Sequence, residues 1–130
     1  MTTDYLQRRH SLYKGKRIEG GTWVGVSRKK HSQWDELSID GFLVYTPAQF
    51  DWGNLTPAST NLALAILMHY FGDNIVAAHL YHKFAHDVIA KIKTATWTLF
   101  PADIESWMAM TGIPGTERLA ANRVGLKIKH

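Results

Sequence analysis

Three histidines, His79, His82 and His86, recur at helical spacing in the second half of the 130-residue chain. Offsets of three and seven residues place them within one narrow sector of a helix. His82 and His86 have the four-residue spacing at which two imidazoles of one helix share a zinc ion. We therefore treat His82 and His86 as candidate metal ligands. His79 lies about 10 Å from His86 along the helix axis, too far to join the same ion.

The histidine row has a second interpretation, as the solvated face of an amphipathic helix. Leu80, Phe84 and Val88 centre on roughly the opposite side of the same helix, which we expect to pack on the helix before it. No glutamate lies between His82 and His86 to act as a general base. Asp87 could orient a metal-binding imidazole from outside the ligand set. The pattern favours the solvated face and leaves the metal site as an alternative.

Basic residues interleaved with aromatic ones form the second candidate site. Residues 1–31 carry eight lysines and arginines against two acids, whereas residues 32–115 carry three against eight. Cations of this kind hold phosphates, and the rings of Tyr13 and Trp23 could stack on bases. In the alternative interpretation, which the pattern favours, both rings anchor a sheet whose edges the cations solvate. The candidate contact residues are Arg8, Arg9, Lys14, Lys16, Arg17, Arg28, Lys29 and Lys30.

Several kinds of chemistry are excluded or find no support. The chain has no cysteine, which excludes disulfides, thiolate nucleophiles and cysteine-ligated metals. Gly15, Gly20 and Gly21 match no phosphate-binding loop. Asp103 and Glu105 lie two residues apart on a predicted helix, so their carboxylates diverge. We assign no catalytic residue and no cofactor, and we expect a non-enzymatic protein.

Nothing in the sequence indicates a membrane. The first residues lack the apolar stretch of a signal peptide. The longest apolar run, residues 62–68, is far too short to span a bilayer. We therefore expect a cytoplasmic protein without a membrane partner.

The N-terminal half reads as a small antiparallel sheet. The β-branched and aromatic residues of Thr22–Ser27 predict a strand, with Gly25 as a weak point or bulge. Residues typical of turns and of strands predict the remaining elements of this sheet. The turns are predicted at Lys14–Lys16, Gly20–Gly21 and Asp40–Gly41, the loop at Arg28–His31, and the strands at Leu37–Asp40 and Phe42–Tyr45.

The sequence of the C-terminal half predicts helices. Thr56 can cap a first helix that begins at Pro57 and stops at Gly72. Asp73 can cap a second helix, which we expect to continue to about Lys93. The remaining elements are an extended Trp97–Leu99, a helix from Pro101 to Met110 stopped by Gly112, and a short helix from Thr116 to Asn122.

These elements predict an α+β fold, a small N-terminal antiparallel β-sheet followed by about three packed helices. We divide the chain into a flexible basic arm (residues 1–12), a single α+β domain (13–112) and a basic C-terminal extension (113–130). The indole of Trp52, next to Gly53, is expected to plug the junction between sheet and helices.

The residues at these packing positions also carry a family resemblance. They are Tyr13–Arg17, Phe50–Gly53, Leu62–Leu67, Asp73, Tyr81, Phe84, Trp97–Leu99, Asp103–Ile104 and Trp107. Over about Tyr13 to Trp107 the chain resembles a family of small bacterial, plasmid and phage proteins known only as a domain of unknown function. The family has a glycine-rich stretch after Trp-Gly, where this chain has Asn54–Pro57. The resemblance implies an accessory protein of a mobile element, a class that includes inhibitors of host machinery, and brings no catalytic residue.

Three functional hypotheses follow. The first is a non-enzymatic interaction protein that binds a macromolecular partner, most simply another protein, through its charged surface. The second is a nucleic-acid-binding protein that uses the basic N-terminal region. The third is a metal-dependent function at the row of His79, His82 and His86.

Overall fold

The computed structural model describes residues 11–27, 33–37 and 50–112 of the chain. Within these ranges it has four strands and three α-helices. The strands are β1 (Leu12–Ile18), β2 (Gly21–Ser27), β3 (Asp35–Glu36) and β4 (Thr96–Leu99). The helices are α1 (Pro57–Phe71), α2 (Asn74–Asp87) and α3 (Pro101–Met110), with a 3₁₀ turn at Ile89–Lys91. The α+β fold predicted from the sequence is confirmed.

The four strands form one antiparallel sheet in the order β3-β2-β1-β4. Alternate residues of β1 face opposite sides of it, as the strand repeat requires. Tyr13 pairs with Val26 on one side and with Leu99 on the other, and all three are buried. Because Tyr13 also contacts His69 of α1, at 2.8 Å between the hydroxyl and Nδ1, this is the side that the helices cover. We call it the inner face and the opposite side the outer face.

The turn predicted at Lys14–Lys16 is wrong, because these residues lie within β1. Gly15 is needed for packing: a Cβ at this position would overlap the indole of Trp97, which lies across it on β4. The turn between β1 and β2 is confirmed at Gly20, whose φ of 85° suits glycine.

The predicted strand Thr22–Ser27 is confirmed as part of β2. Gly25 is not a bulge, since it pairs with Lys14 in regular register. The predicted strand Leu37–Asp40 overlaps the described residues only at Leu37, whose N–H donates to the carbonyl of Val24 at 2.9 Å just after β3. Other predicted features lie outside the described residues. They are the N-terminal arm before Ser11, the loop at Arg28–His31, the Asp40–Gly41 turn, the strand Phe42–Tyr45, the helix Thr116–Asn122 and the C-terminal extension.

Helix α1 begins at Pro57 and ends at Gly72, as predicted, with φ of 66° at Gly72. The expected cap by the Thr56 hydroxyl is wrong, because this hydroxyl donates to Asn54 Oδ1 at 2.7 Å. The same oxygen accepts from the Thr56 N–H at 3.1 Å and from the Ser59 hydroxyl at 2.6 Å. Asn54 therefore organises the start of α1.

Asp73 caps α2 as predicted, accepting from the backbone N–H groups of Ile75 and Val76. The expected continuation to Lys93 is wrong, since α2 ends at Asp87 and a 3₁₀ turn follows. The change of backbone places Ile89 in the core, where its carbonyl accepts from the N–H of Gly53 at 2.9 Å. The same carbonyl accepts from the N–H of Ile92 at 3.2 Å, a three-residue bond that belongs to the 3₁₀ turn and not to an α-helix.

The core lies between the inner face and the helices. Every residue of Leu62–Leu67 in α1 is buried, and Phe84 of α2 packs edge-on against Trp107 of α3 with ring centroids 4.9 Å apart. The inward orientation expected for Phe84 is confirmed. Trp52 is buried as expected at the sheet–helix junction, edge-on to Trp97 at 5.5 Å, and its Nε1–H donates to the carbonyl of Thr94.

Candidate functional site

The outer face of the sheet brings two of the predicted contact residues together. Lys14 and Lys16 lie two residues apart on β1 and therefore share this face. Lys16 pairs across the sheet with Trp23 of β2, and Lys14 pairs with Gly25. The strand repeat thus sets two ammonium groups beside an indole that is itself only partly buried.

Each lysine on the outer face lies over an indole. The Nζ atom of Lys14 is 4.7 Å from the ring centroid of Trp34, and that of Lys16 is 5.2 Å from the centroid of Trp23. Both distances fall within the range of a cation–π contact. We call Lys14, Lys16, Trp23 and Trp34 the Lys/Trp face.

The backbone beneath Trp23 is shaped for the ring. A Cβ at Gly25 would overlap the six-membered ring of that indole, so the ring occupies the space that a side chain at this position would fill. Trp23 is thereby laid against the strand surface, with Lys16 over the ring. An indole held in this way presents an aromatic face, which suits stacking of a planar group.

Polar, exposed side chains of β3 and β4 border the Lys/Trp face. Thr96 and Thr98 of β4 pair with Lys16 and Lys14 and are exposed on the same side of the sheet. Glu36 pairs with Gly25 and contributes one carboxylate to this side. Among the described residues of this surface, two cations thus face one anion, and the balance favours an anionic ligand.

Arg17, another predicted contact residue, lies on the inner side of β1 at the end of the sheet. Its guanidinium is 2.9 Å from Asp51 Oδ1, donates to the carbonyl of Trp52 at 3.3 Å, and lies over the indole of Trp52 at 4.5 Å. Burial works to raise the pKa of Asp51, but hydrogen bonds from Asn54 and from backbone, together with Arg17, hold this pKa below its usual value. Arg17 thus fastens β1 to the segment before α1, and a partner contact at Arg17 stays a prediction.

The other five predicted contact residues lie outside the described residues. They are Arg8, Arg9, Arg28, Lys29 and Lys30.

The histidine row is exposed, as the amphipathic interpretation of α2 predicts. The His79 Nδ1–H donates to the carbonyl of Ile75 within the helix at 2.9 Å, and the ring of His82 lies 4.1 Å from that of Tyr81. His82 and His86 border an open depression of about 410 Å³, together with Leu55, Pro57 and Thr60. The Thr60 hydroxyl donates to the carbonyl of Pro57.

Asp87 connects the histidine row to α3. Its Oδ1 accepts from His86 Nδ1–H at 3.0 Å, and its Oδ2 accepts from Trp107 Nε1–H at 3.0 Å and lies 3.2 Å from Lys83 Nζ. The hydrogen bonds from His86 and Trp107 lower the pKa of Asp87 to about 2, against partial burial. Asp87 is therefore ionised at neutral pH, and because it engages His86 Nδ1, a ligand of this ring would have to use Nε2.

The metal hypothesis has two ligands and an orienting carboxylate. Within residues 11–27, 33–37 and 50–112, no three histidines, aspartates or glutamates come together as a metal-binding group. Metal binding at His82 and His86 stays a prediction.

Trp34 belongs to the Lys/Trp face, although no sequence pattern singles it out.

The fold and the Lys/Trp face describe a small α+β protein with a basic, aromatic sheet surface. Over residues 13–110 the chain matches the family of unknown function DUF6166, and it belongs to that family. The resemblance to a family of unknown function is thus confirmed. No curated protein and no solved structure matches the chain. In the described part of the chain, no helix has the length and apolar character needed to cross a bilayer.

Proposed function

We propose that this protein is a non-enzymatic interaction protein that binds a macromolecular partner through the Lys/Trp face. The observation that carries the proposal is the pairing of Lys14 with Trp34 and of Lys16 with Trp23 on the outer face. The helices cover the inner face, whereas on the outer face Lys16 is exposed and Lys14, Trp23 and Trp34 are partly exposed. The resemblance of the sequence to plasmid and phage proteins supports an accessory role in a mobile element.

The physical argument rests on what these side chains have in common. The ammonium groups of surface lysines attract an anionic surface over a distance of about 10 Å at physiological salt. Indoles add apolar contact area, and tryptophan is enriched among the residues that dominate binding energy. A surface that combines the two suits a partner with acidic groups beside flat or apolar ones.

A generic polyanion tests whether the Lys/Trp face is the binding surface. We would measure the affinity of a fluorescently labelled heparin fragment by anisotropy for the full chain and for the K14Q/K16Q variant. We expect about a tenfold loss of affinity at low salt, because two phosphate-like contacts are removed. The matched control is K83Q/K91Q, which removes the same charge from two exposed lysines of the helical layer. The R8Q/R9Q variant measures the contribution of the N-terminal basic segment.

The proposal fails if K14Q/K16Q and K83Q/K91Q weaken binding equally, since net charge alone would then account for it. It also fails if R8Q/R9Q abolishes binding while K14Q/K16Q leaves it unchanged. Urea unfolding of each variant establishes that the substituted proteins are folded.

A further inference from the structure

We infer that the partner of the Lys/Trp face is a single-stranded nucleic acid whose bases stack on Trp23 and Trp34. This inference rests on the proposed function and names the partner class for the same surface. Single-stranded nucleic acids are bound by cations that follow the phosphates and by aromatic rings on which bases stack. The outer face presents both groups side by side.

The position of Trp23 provides the first argument. Gly25 leaves room for the indole to lie against the strand, because any Cβ there would occupy the place of its ring atoms. A ring held by backbone on one side is already ordered before a base reaches its other side, over which Lys16 lies in the free protein. Binding therefore does not have to immobilise this indole, because folding has already done so.

The lysines provide the second argument, because in the free protein they occupy the ring faces that a base would take. Lys16 lies over Trp23 and Lys14 over Trp34. An exposed ammonium–indole contact is weaker than base–indole stacking. A base can therefore replace the ammonium, and the flexible lysine stem can turn its charge to the adjacent phosphate. The exchange keeps every ring covered and gives each cation a stronger partner.

The edge of the Lys/Trp face supplies polar groups for the same ligand. Thr96 and Thr98 expose hydroxyls beside the two lysines, where they can donate to phosphate or sugar oxygens. Glu36 opposes this attraction, since its carboxylate lies on the same side of the sheet. Glu36→Gln should consequently strengthen binding, by about two- to threefold at low salt.

The test is a binding titration in which the full chain is added to a labelled oligothymidylate of about 12 nucleotides and the fluorescence anisotropy of the label is measured. Trp23→Leu should weaken binding about tenfold, because a stacking surface is lost while the charge is unchanged. Trp23→Phe keeps a ring and should retain most of the affinity, which also covers the case in which the leucine variant is poorly folded. The control is Phe100→Leu, which removes a 50 % exposed aromatic ring at the start of α3. Heparin and a duplex of the same length serve as stacking-free competitors.

Three outcomes separate this inference from the proposed function. A tenfold loss for Trp23→Leu with preference for the single strand over the duplex supports the inference. Equal affinity of Trp23→Leu and the wild type, with loss only in K14Q/K16Q, overturns stacking and keeps the Lys/Trp face as a polyanion or acidic-protein surface. Binding that neither the Trp23→Leu nor the K14Q/K16Q substitution affects overturns both.

Discussion

Gly15→Ala should destabilise the protein, whereas Gly25→Ala should leave its stability nearly unchanged. Both glycines lie inside paired strands, and neither has a positive φ. Their backbone therefore admits alanine equally well. In each case alanine lowers the entropy of the unfolded chain, which raises the free energy of unfolding by about 0.4–1 kcal/mol. The difference between the two positions comes from the ring that each glycine faces.

At Gly15 the new Cβ would overlap the indole of Trp97, which is only 9 % exposed and packs edge-on against the buried Trp52. This indole has little room to move, and overpacking of a core generally costs about 1–3 kcal/mol. Against the gain of alanine, we expect a net destabilisation of about 1–2 kcal/mol.

At Gly25 the new Cβ would overlap the outer end of the Trp23 indole, and because this ring is partly exposed on the outer face, the Cβ can push it off the strand without disturbing the core. The loss of its contact with Lys16, about 0.5–1 kcal/mol, roughly offsets the gain of alanine. We expect the free energy of unfolding to stay within about 0.5 kcal/mol of the wild type.

Urea unfolding followed by far-ultraviolet circular dichroism measures both variants without relying on tryptophan emission. The midpoint should fall for Gly15→Ala at an unchanged slope and should hardly move for Gly25→Ala. The explanation is refuted if Gly15→Ala is as stable as the wild type, or if Gly25→Ala is the more destabilised of the two. On the proposed stacking, Gly25→Ala should also weaken oligothymidylate binding, although its stability is preserved.

Three further predictions concern the helices. Asn54→Ala should lower the free energy of unfolding by about 1 kcal/mol in urea, since one oxygen there accepts three hydrogen bonds at the start of α1; an unchanged midpoint would contradict this. The fold lowers the pKa of Asp87 from 3.8 to about 2, so its carboxylate stabilises the protein above about pH 4, and this contribution is lost as the pH falls towards 2. Asp87→Asn should accordingly lower the free energy of unfolding by about 1 kcal/mol at pH 7 and by less at pH 3. The figure is discounted because the carboxylate is 23 % exposed. An equal loss of stability at both pH values would disprove the linkage. The two imidazoles of His82 and His86 should bind zinc only weakly. Dialysis against a chelator should therefore leave the melting temperature of the untagged protein unchanged. One zinc ion retained per chain, measured by elemental analysis, would contradict this expectation.

Helix boundaries were predictable because their signals are local. Pro57, Gly72 and Asp73 act through their own backbone and the next turn, and the structure has each where the sequence indicates. The end of α2 is less predictable, because the 3₁₀ turn after it contacts a distant part of the chain through the bond from the Gly53 N–H to the Ile89 carbonyl.

The sheet was less predictable, since its pairing is long-range. Lys14–Lys16 has the composition of a turn, and only the indole of Trp97 on β4 shows why a glycine lies within the strand. The Lys/Trp face has the same origin. Lys14 and Lys16 are candidates by charge, but the register of β1 and β2 decides that Trp23 lies beside Lys16, and composition does not contain that register.

The salt dependence of oligothymidylate binding tests the central claim most directly. Each lysine that contacts a phosphate of a single strand adds about 0.7 to the slope of log affinity against log salt concentration. If the outer face is the binding surface, the slope for K14Q/K16Q is smaller than that of the wild type by about 1.4, while K83Q/K91Q keeps the wild-type slope. Identical slopes for the wild type and K14Q/K16Q would contradict the proposed binding surface.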